Sequence, residues 1–153
     1  MCRPFFSLTI AVLRRRIPIE NKKADFGRRT IERGYAAAVF RVKDVDPDEH
    51  DGFRNGVHGI IDPPGELRPA DAWGTVSAWA WGAQRVMDVL EQDPDIDASK
   101  VALVGHSRCG KTALWAGAQD ERFAMVVSNN SGCTGAAVSR GKKGEKIRDI
   151  NEV

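Results

Sequence analysis

Apolar runs of strand length recur along the chain, each bounded by polar turns. They cover residues 35–42 (YAAAVFRV), 101–104 (VALV) and 123–127 (FAMVV). A strand covered on both faces in a parallel sheet carries such a near-continuous apolar run, whereas a half-exposed strand alternates apolar with polar residues. The runs therefore predict buried strands of a parallel sheet.

Helical periodicity separates these strands. Over residues 71–91 apolar side chains fall three or four positions apart, which predicts a long helix with one face in the core. Its apolar stripe consists of Val76, Trp79, Ala83, Val86 and Leu90. A helix over about 109–119 follows the second strand, and a short helix from Asp25 to Ile31, ended by Gly34, precedes the first. The alternation predicts an α/β fold in which helices flank a parallel sheet with right-handed crossovers.

Two stretches lack this regular pattern. Residues 44–69 contain Asp-Pro, Gly and Pro-Pro turns, which predict a long surface loop. The apolar residues expected to pin this loop to the core are Phe53, Val57, Ile60 and Ile61. Residues 1–24 are rich in Lys and Arg and are left unassigned as a solvated basic segment, so the α/β domain is placed at 25–153. Within them, 5–13 matches a signal-peptide core only weakly because arginines follow it.

Composition and charge narrow the function classes. Of the 153 residues, 42% are hydrophobic and 29% are charged, as in soluble globular proteins. A net charge of +2 is too small to indicate nucleic-acid binding, and no apolar run reaches the roughly 20 residues that cross a bilayer. The cysteines, Cys2, Cys109 and Cys133, lack the spacing of a zinc site or a disulfide framework. Neither a zinc site nor a disulfide framework is therefore expected, and the oligomeric state is left open.

The tryptophans allow a second interpretation of the long helix. Trp73, Trp79 and Trp81 could form a stacking platform for a sugar, but aromatic residues at helical spacing more often pack in a core. We therefore expect packing.

The segment 105–111 (GHSRCGK) is the candidate for chemistry. It places Ser107 between a buried strand and a helix, with the small residues Gly105 and Cys109 two positions to either side. This is typical of the nucleophile elbow of α/β-hydrolases, where the backbones of strand and helix approach closely. The turn also points helix N–H groups at the serine oxygen as part of an oxyanion hole. Strand-glycine-turn-helix connections occur in many α/β folds, so the motif alone is only suggestive. The long preceding helix, which the hydrolase topology requires, favours the elbow interpretation.

Histidine is the usual base for a serine nucleophile. His106 adjoins Ser107 on the turn, so its side chain is expected to point elsewhere, while His50 and His58 lie upstream in the loop. In α/β-hydrolases the triad follows the order Ser, acid, His, and no histidine follows Ser107 in this chain. The sequence therefore predicts a nucleophile without its catalytic base.

Longer strings around this motif resemble one family. VALVGHSRCGKTALWAGAQDERFAMVVSNNSGCTGAAVSR at 101–140, together with stretches at 32–58 and 70–100, is similar to the glucuronoyl esterases, carbohydrate esterase family fifteen. The resemblance covers roughly residues 30–151. It implies a partial α/β-hydrolase fold and a secreted or periplasmic enzyme without metal or cofactor. The implied substrate is the ester between glucuronic acid of glucuronoxylan and a lignin alcohol, or a related uronate ester.

The resemblance also assigns roles to single residues. Ser107 matches the nucleophile, Arg108 an arginine that stabilises the oxyanion, Lys111 a lysine that contacts the uronate hydroxyls, and Glu145 a substrate-contacting carboxylate. A cationic pocket suits a uronoyl group and an anionic intermediate. Cations at a helix start oppose the helix dipole, which argues against incidental roles for Arg108 and Lys111. An ordinary solvated charge is an equally good interpretation of Glu145.

Departures from the family pattern leave other functions open. Asn130 stands where some members carry the triad carboxylate, and an amide cannot stabilise an imidazolium in the same way. The chain ends at Val153, before the histidine loop of the family, so a gene fragment or frameshifted product is the interpretation. The alternatives are an acetylxylan or other carbohydrate esterase, in which Lys111 would have nothing to recognise, and a non-catalytic carbohydrate-binding remnant.

Overall fold

The computed structural model describes residues 7–14, 25–49, 51–62, 67–138, 140, 141 and 144–147. His50, Cys2 and most of the predicted basic segment lie outside the described residues. Within the described ranges, no helix combines the length and apolarity that a membrane crossing requires.

The helices and strands follow the predicted order, with an additional strand at the start. In chain order they are β1 (Ser7–Arg14), α1 (Asp25–Glu32), β2 (Tyr35–Arg41), a 3₁₀ turn (Val42–Asp44), α2 (His58–Ile61), α3 (Thr75–Leu90), β3 (Ile96–His106), α4 (Arg108–Gln119) and β4 (Phe123–Asn129). Gly34 ends α1 with a φ of 84°, a conformation that favours glycine.

The sheet has the order β2-β1-β3-β4. β3 and β4 are parallel, and β1 is antiparallel to both β2 and β3, so the three predicted strands run in one direction. This confirms the α/β architecture. The additional strand β1 forms within the segment left unassigned, because the length of the apolar run at 5–13 suits a strand as well as a signal-peptide core.

The core lies between the sheet and two helices. α4 packs on β3 and β4, and α3 packs on α4. Trp79 and Met87 of α3 and Leu103 of β3 are among the largest fully buried side chains. Trp79 also donates its indole N–H to the carbonyl oxygen of Asp46 at 2.9 Å. The prediction of packing is thus confirmed for Trp79, and it does not present a sugar platform.

The outer strands are less covered than the sequence predicted. Tyr35 and Val39 of β2 and Met125 and Val127 of β4 are exposed among the described residues, whereas Val101 of β3 is fully buried. β2 and β4 lie at the two ends of the strand order. A continuous apolar run identifies a strand, but it does not reveal whether a neighbouring layer covers both faces of that strand.

The predicted anchors of the long loop are confirmed only in part. Val57 is buried, but Ile60 is 85% exposed and Ile61 is 54% exposed. The reason is that 58–61 form the short helix α2, which turns successive side chains in different directions. His58 points inward instead and is fully buried.

Arg122 joins α3 to the turn between α4 and β4. Its guanidinium donates to Asp120 at 2.6 Å, to Asp88 at 2.9 Å and to Glu91 at 2.6 Å. One guanidinium therefore ties carboxylates from the end of α3 to the start of β4, which is a stronger arrangement than an isolated surface pair.

We expect Arg122→Ala to lower the free energy of unfolding by about 1–2 kcal/mol because three charge-assisted contacts disappear together. Lys100→Ala, which removes a single exposed pair with Asp97, should change it by less than about 0.5 kcal/mol. Urea unfolding of both variants measures the difference. Equal effects would show that the Arg122 network adds nothing beyond an ordinary surface pair.

Candidate active site

Ser107 lies alone between the end of β3 at His106 and the start of α4 at Arg108. Its backbone has a φ of 56° and a ψ of −123°. This is a conformation that residues other than glycine rarely adopt and that requires support from the surrounding structure. The predicted tight turn between strand and helix is confirmed.

Close backbone packing supports this turn. A Cβ at Gly105 would collide with the carbonyl group of Cys109 in the first turn of α4. A Cβ at Gly110 would lie 3.0 Å from the Cβ of Ser131 and 3.1 Å from the carbonyl oxygen of Asn129. β3, α4 and the residues after β4 therefore meet at a point where side chains do not fit, as an elbow requires.

Backbone hydrogen bonds fix Ser107 while leaving its hydroxyl for other use. The Ser107 N–H donates to Asn129 at 2.9 Å, and its carbonyl accepts from Gly110 at 2.8 Å and from Lys111 at 3.2 Å. Ser107 is the N-cap of α4, but its side chain does not cap the helix. The half-buried hydroxyl thus lies at the positive end of the α4 dipole, where negative charge on an attacked carbonyl oxygen would be stabilised.

Arg108, beside Ser107, is held by a residue that the sequence analysis missed. Its Nη1 donates to Oδ1 of Asp48 at 2.6 Å, across 60 positions of sequence. The Asp48 side chain is 7% exposed and that of Arg108 is 42% exposed. Burial raises the pKa of Asp48, although Arg108 and Lys43 act in the opposite direction. Nothing in a single sequence pairs a loop carboxylate with an arginine so far away.

Lys111 and Glu145, the two candidate substrate-binding residues, lie close together. Lys111 lies one helical turn after Ser107, and its Nζ donates to the carbonyl oxygen of Cys133. Its Nζ is 3.8 Å from Oε2 of Glu145, which also accepts the Cys133 N–H at 2.9 Å. Lys111 is 9% exposed and Glu145 is 50% exposed. Glu145 is therefore a bonded part of the turn at 132–133, not an isolated solvated charge.

Asn130 lies at the carboxyl end of β4, next to the elbow. His106, the residue before Ser107, pairs with Asn129 in the sheet. Asn130 has a φ of 47°, and the buried Ser131 that follows accepts the Ala136 N–H at 2.7 Å. The turn after β4, which contains the Asn130 amide, thus lies next to the elbow.

Neither described histidine is arranged as a base for Ser107. His58 is fully buried, with Nδ1 2.8 Å from Oδ1 of Asp46 and Nε2 3.2 Å from the carbonyl oxygen of Trp73. Because a carbonyl oxygen only accepts, Nε2 must carry a hydrogen, and the ring serves to hold the loop. His106 is exposed at the end of β3, and no hydrogen bond joins it to Ser107 in the described part of the chain.

The described cysteines are free thiols in the interior. Cys109 and Cys133 are both buried, and burial raises the pKa of Cys109 to about 11. A thiol with so high a pKa is a poor nucleophile near neutral pH. Among the described residues, no group of three His, Cys, Asp or Glu side chains could hold a metal ion.

Residues 28–152 match the family model described as glucuronyl esterase of fungi. The chain is 48% identical over 124 residues to the carbohydrate esterase MZ0003 of an unknown prokaryotic organism, covering 80% of this chain and 28% of that protein. It is 39% identical over 101 residues to the 4-O-methyl-glucuronoyl methylesterase of Phanerochaete carnosa, covering 65% of this chain and 24% of that protein.

Solved structures give the same result. A glucuronoyl esterase from Solibacter usitatus aligns with a TM-score of 0.75 at 44% identity, covering 83% of this chain and 33% of that one. A promiscuous CE15 esterase from a marine bacterial metagenome aligns with a TM-score of 0.69 at 45% identity, covering 84% and 32% of the respective chains. The chain thus spans about a quarter to a third of the length of these relatives.

Gly105→Ala should lower the free energy of unfolding by at least about 3 kcal/mol, because the new methyl group meets backbone atoms that cannot move aside. Gly74→Ala is the matched control, since a Cβ there has nothing within 4 Å. Its effect should stay below about 1 kcal/mol. Urea unfolding decides between them, and a mild effect at Gly105 would contradict the close approach of β3 and α4.

Proposed function

The chain belongs to the glucuronyl esterase family, and from this membership we propose that it carries the nucleophile of a serine carboxylic ester hydrolase that acts on uronate esters. The observation that supports the proposal most directly is the strained backbone of Ser107 at the start of α4. Arg108 and Lys111 both lie in the first turn of that helix. The specific reaction proposed is the cleavage of esters between glucuronic acid of glucuronoxylan and lignin alcohols.

The proposed reaction proceeds in two steps. The Ser107 oxygen attacks the ester carbonyl, the bond to the alcohol breaks, and the alcohol leaves with the proton that Ser107 gave up. Water then attacks the uronoyl-serine, which releases the uronic acid and restores the hydroxyl. In both steps negative charge builds on the carbonyl oxygen, where the N-terminus of α4 and the Arg108 guanidinium stabilise it.

The proposed acyl pocket is centred on Lys111 and Glu145. Lys111 is nearly buried and is already bonded to the carbonyl oxygen of Cys133, so its ammonium group has a fixed position. An ammonium and a carboxylate at that point suit the hydroxyls of a uronate ring, for which they provide donors and acceptors. An acetyl group offers no hydroxyls for either group to bind, which favours a uronate ester over an acetylated sugar.

A non-catalytic carbohydrate-binding role is the second candidate. The observation that favours it is the absence of a histidine arranged as a base for Ser107 among the described residues. In either role the substrate would be an extracellular polysaccharide, so we place the protein outside the cytoplasm, secreted or periplasmic.

Incubation with a 4-nitrophenyl glucuronate ester should acylate Ser107, because the activated leaving group lowers the demand for acid–base catalysis. Mass spectrometry of the Ser107 peptide detects the uronoyl adduct, and Ser107→Ala should show none. Arg108→Ala should lower the acylation rate constant by about 10²-fold, as the loss of one oxyanion donor does. Lys111→Ala should instead raise the ester concentration that gives the half-maximal rate.

4-Nitrophenyl acetate serves as the comparison ester. Its reaction should be insensitive to Lys111→Ala if that residue recognises the uronate ring. Faster acylation by acetate, with no effect of Lys111→Ala on either ester, would favour an acetyl esterase. Saturable glucuronate binding without any adduct would favour the binding role.

Turnover of benzyl glucuronate by the 153-residue chain should be far below about 1 per second, because a serine hydroxyl needs a base to accept its proton. Added imidazole should raise the Ser107-dependent rate by supplying that base from solution, with Ser107→Ala as the control. Turnover of about 1 per second or more without imidazole would reveal an unrecognised base, and His50, His58 and His106 would then be replaced in turn.

A further inference from the structure

We infer that Asp48 is a positioning residue for acyl transfer, which holds the Arg108 guanidinium beside Ser107 from a loop that the buried Asp46–His58 pair keeps rigid. The inference deepens the proposed function and rests on it. Asp48 does not touch the reacting atoms in this scheme and acts only through Arg108.

The first argument is the geometry of the pair. The Arg108 side chain is 42% exposed, and a long side chain that reaches solvent samples many rotamers unless its contacts restrict it. Asp48 removes that freedom with a charge-assisted bond of 2.6 Å from a side chain that is itself nearly buried. A fixed donor costs little reorganisation when negative charge develops, which is the condition for effective oxyanion stabilisation.

The second argument is the rigidity of the loop two residues before Asp48. The Asp46 side chain bonds to His58 at 2.8 Å, and its carbonyl oxygen accepts the Trp79 N–H from the core at 2.9 Å. Gly56 has a φ of 62°, and a Cβ there would lie 2.7 Å from the Cα of Asp46. The loop segment that contains Gly56 therefore packs directly on Asp46. Core contacts thus hold in place the backbone from which the Asp48 side chain extends.

The third argument is that Asp48 is a poor device for stability. Burial raises the pKa of its carboxyl, so folding disfavours the charged form on which the bond to Arg108 depends. Its partner Arg108 is 42% exposed, and an ion pair that reaches solvent adds little to stability. A charge that the fold accommodates at a cost, directed at the residue beside Ser107, is better explained by a role in the site.

The test measures acylation of Ser107 by the 4-nitrophenyl glucuronate ester in a double-mutant cycle. Asp48→Ala should lower the rate constant by about tenfold to 10²-fold, while in the Arg108→Ala background it should cost almost nothing, because the group that it positions is gone. The control variant is Asp44→Ala, which removes an exposed carboxylate paired with Arg41 at 3.1 Å. It should leave both the rate and the urea midpoint unchanged.

A purely structural role predicts a different result. Asp48→Ala would then lower the urea midpoint and would reduce acylation by the same factor with and without Arg108. That outcome, or an unchanged rate in Asp48→Ala alone, would overturn the inference.

A second measurement does not depend on the proposed function. The NMR signal of the Arg108 Nη1–H, identified by its loss in Arg108→Ala, should exchange with water more rapidly in Asp48→Ala than in the parent chain or in Asp44→Ala. If the parent chain fails to acylate, the proposed function is wrong, and this signal alone decides whether Asp48 positions Arg108. An unchanged exchange rate in Asp48→Ala would overturn the inference.

Discussion

The contact between the backbone of Gly105 and the carbonyl of Cys109 sets the separation of β3 and α4, and the geometry of Ser107 depends on that separation. With so little room, one residue must reverse the chain between strand and helix, and Ser107 does so with a positive φ. Gly110 extends the same close approach to the residues after β4. The Ser107 conformation is therefore maintained by packing on three elements, and among the described residues its side chain does not cap α4.

Electrostatics adds a second constraint to this turn. Two cations, Arg108 and Lys111, occupy the first turn of α4, where the helix dipole is unfavourable to positive charge. Each is paired with a carboxylate from a distant segment. Asp48 comes from the loop before α2, and Glu145 comes from the segment at 144–147, well beyond β4. The long loop and the segment after β4 thus compensate the charge that α4 brings to the site, which links the folding of remote segments to the arrangement around Ser107.

The sequence allowed the elbow, the three codirectional strands and the helices to be predicted because all of them rest on local patterns. Residues 105–111 carry the elbow within seven positions, and α3 shows its period over four turns. The strand β1, the inward-facing His58 and the Asp48–Arg108 bond were not predicted. Each depends on which distant segment lies opposite, and a single sequence does not contain that information. Lys111 and Glu145 were named as candidates from the family resemblance alone, and the structure shows that their side chains lie near each other.

The residues that shape the Ser107 turn differ from those that would make Ser107 reactive. Packing of Gly105 and Gly110 imposes the strained Ser107 turn whether or not a base is present, so the turn alone is no measure of catalytic rate. Reactivity requires a proton acceptor for Ser107. His58 does not fill that role, because its ring nitrogens bond to Asp46 and to the Trp73 carbonyl in the loop. That histidine still serves the site indirectly, because it stabilises the loop from which Asp48 reaches Arg108. Under the proposed function the region around Ser107 therefore holds charge on an oxyanion, and the transfer of the serine proton is a separate requirement.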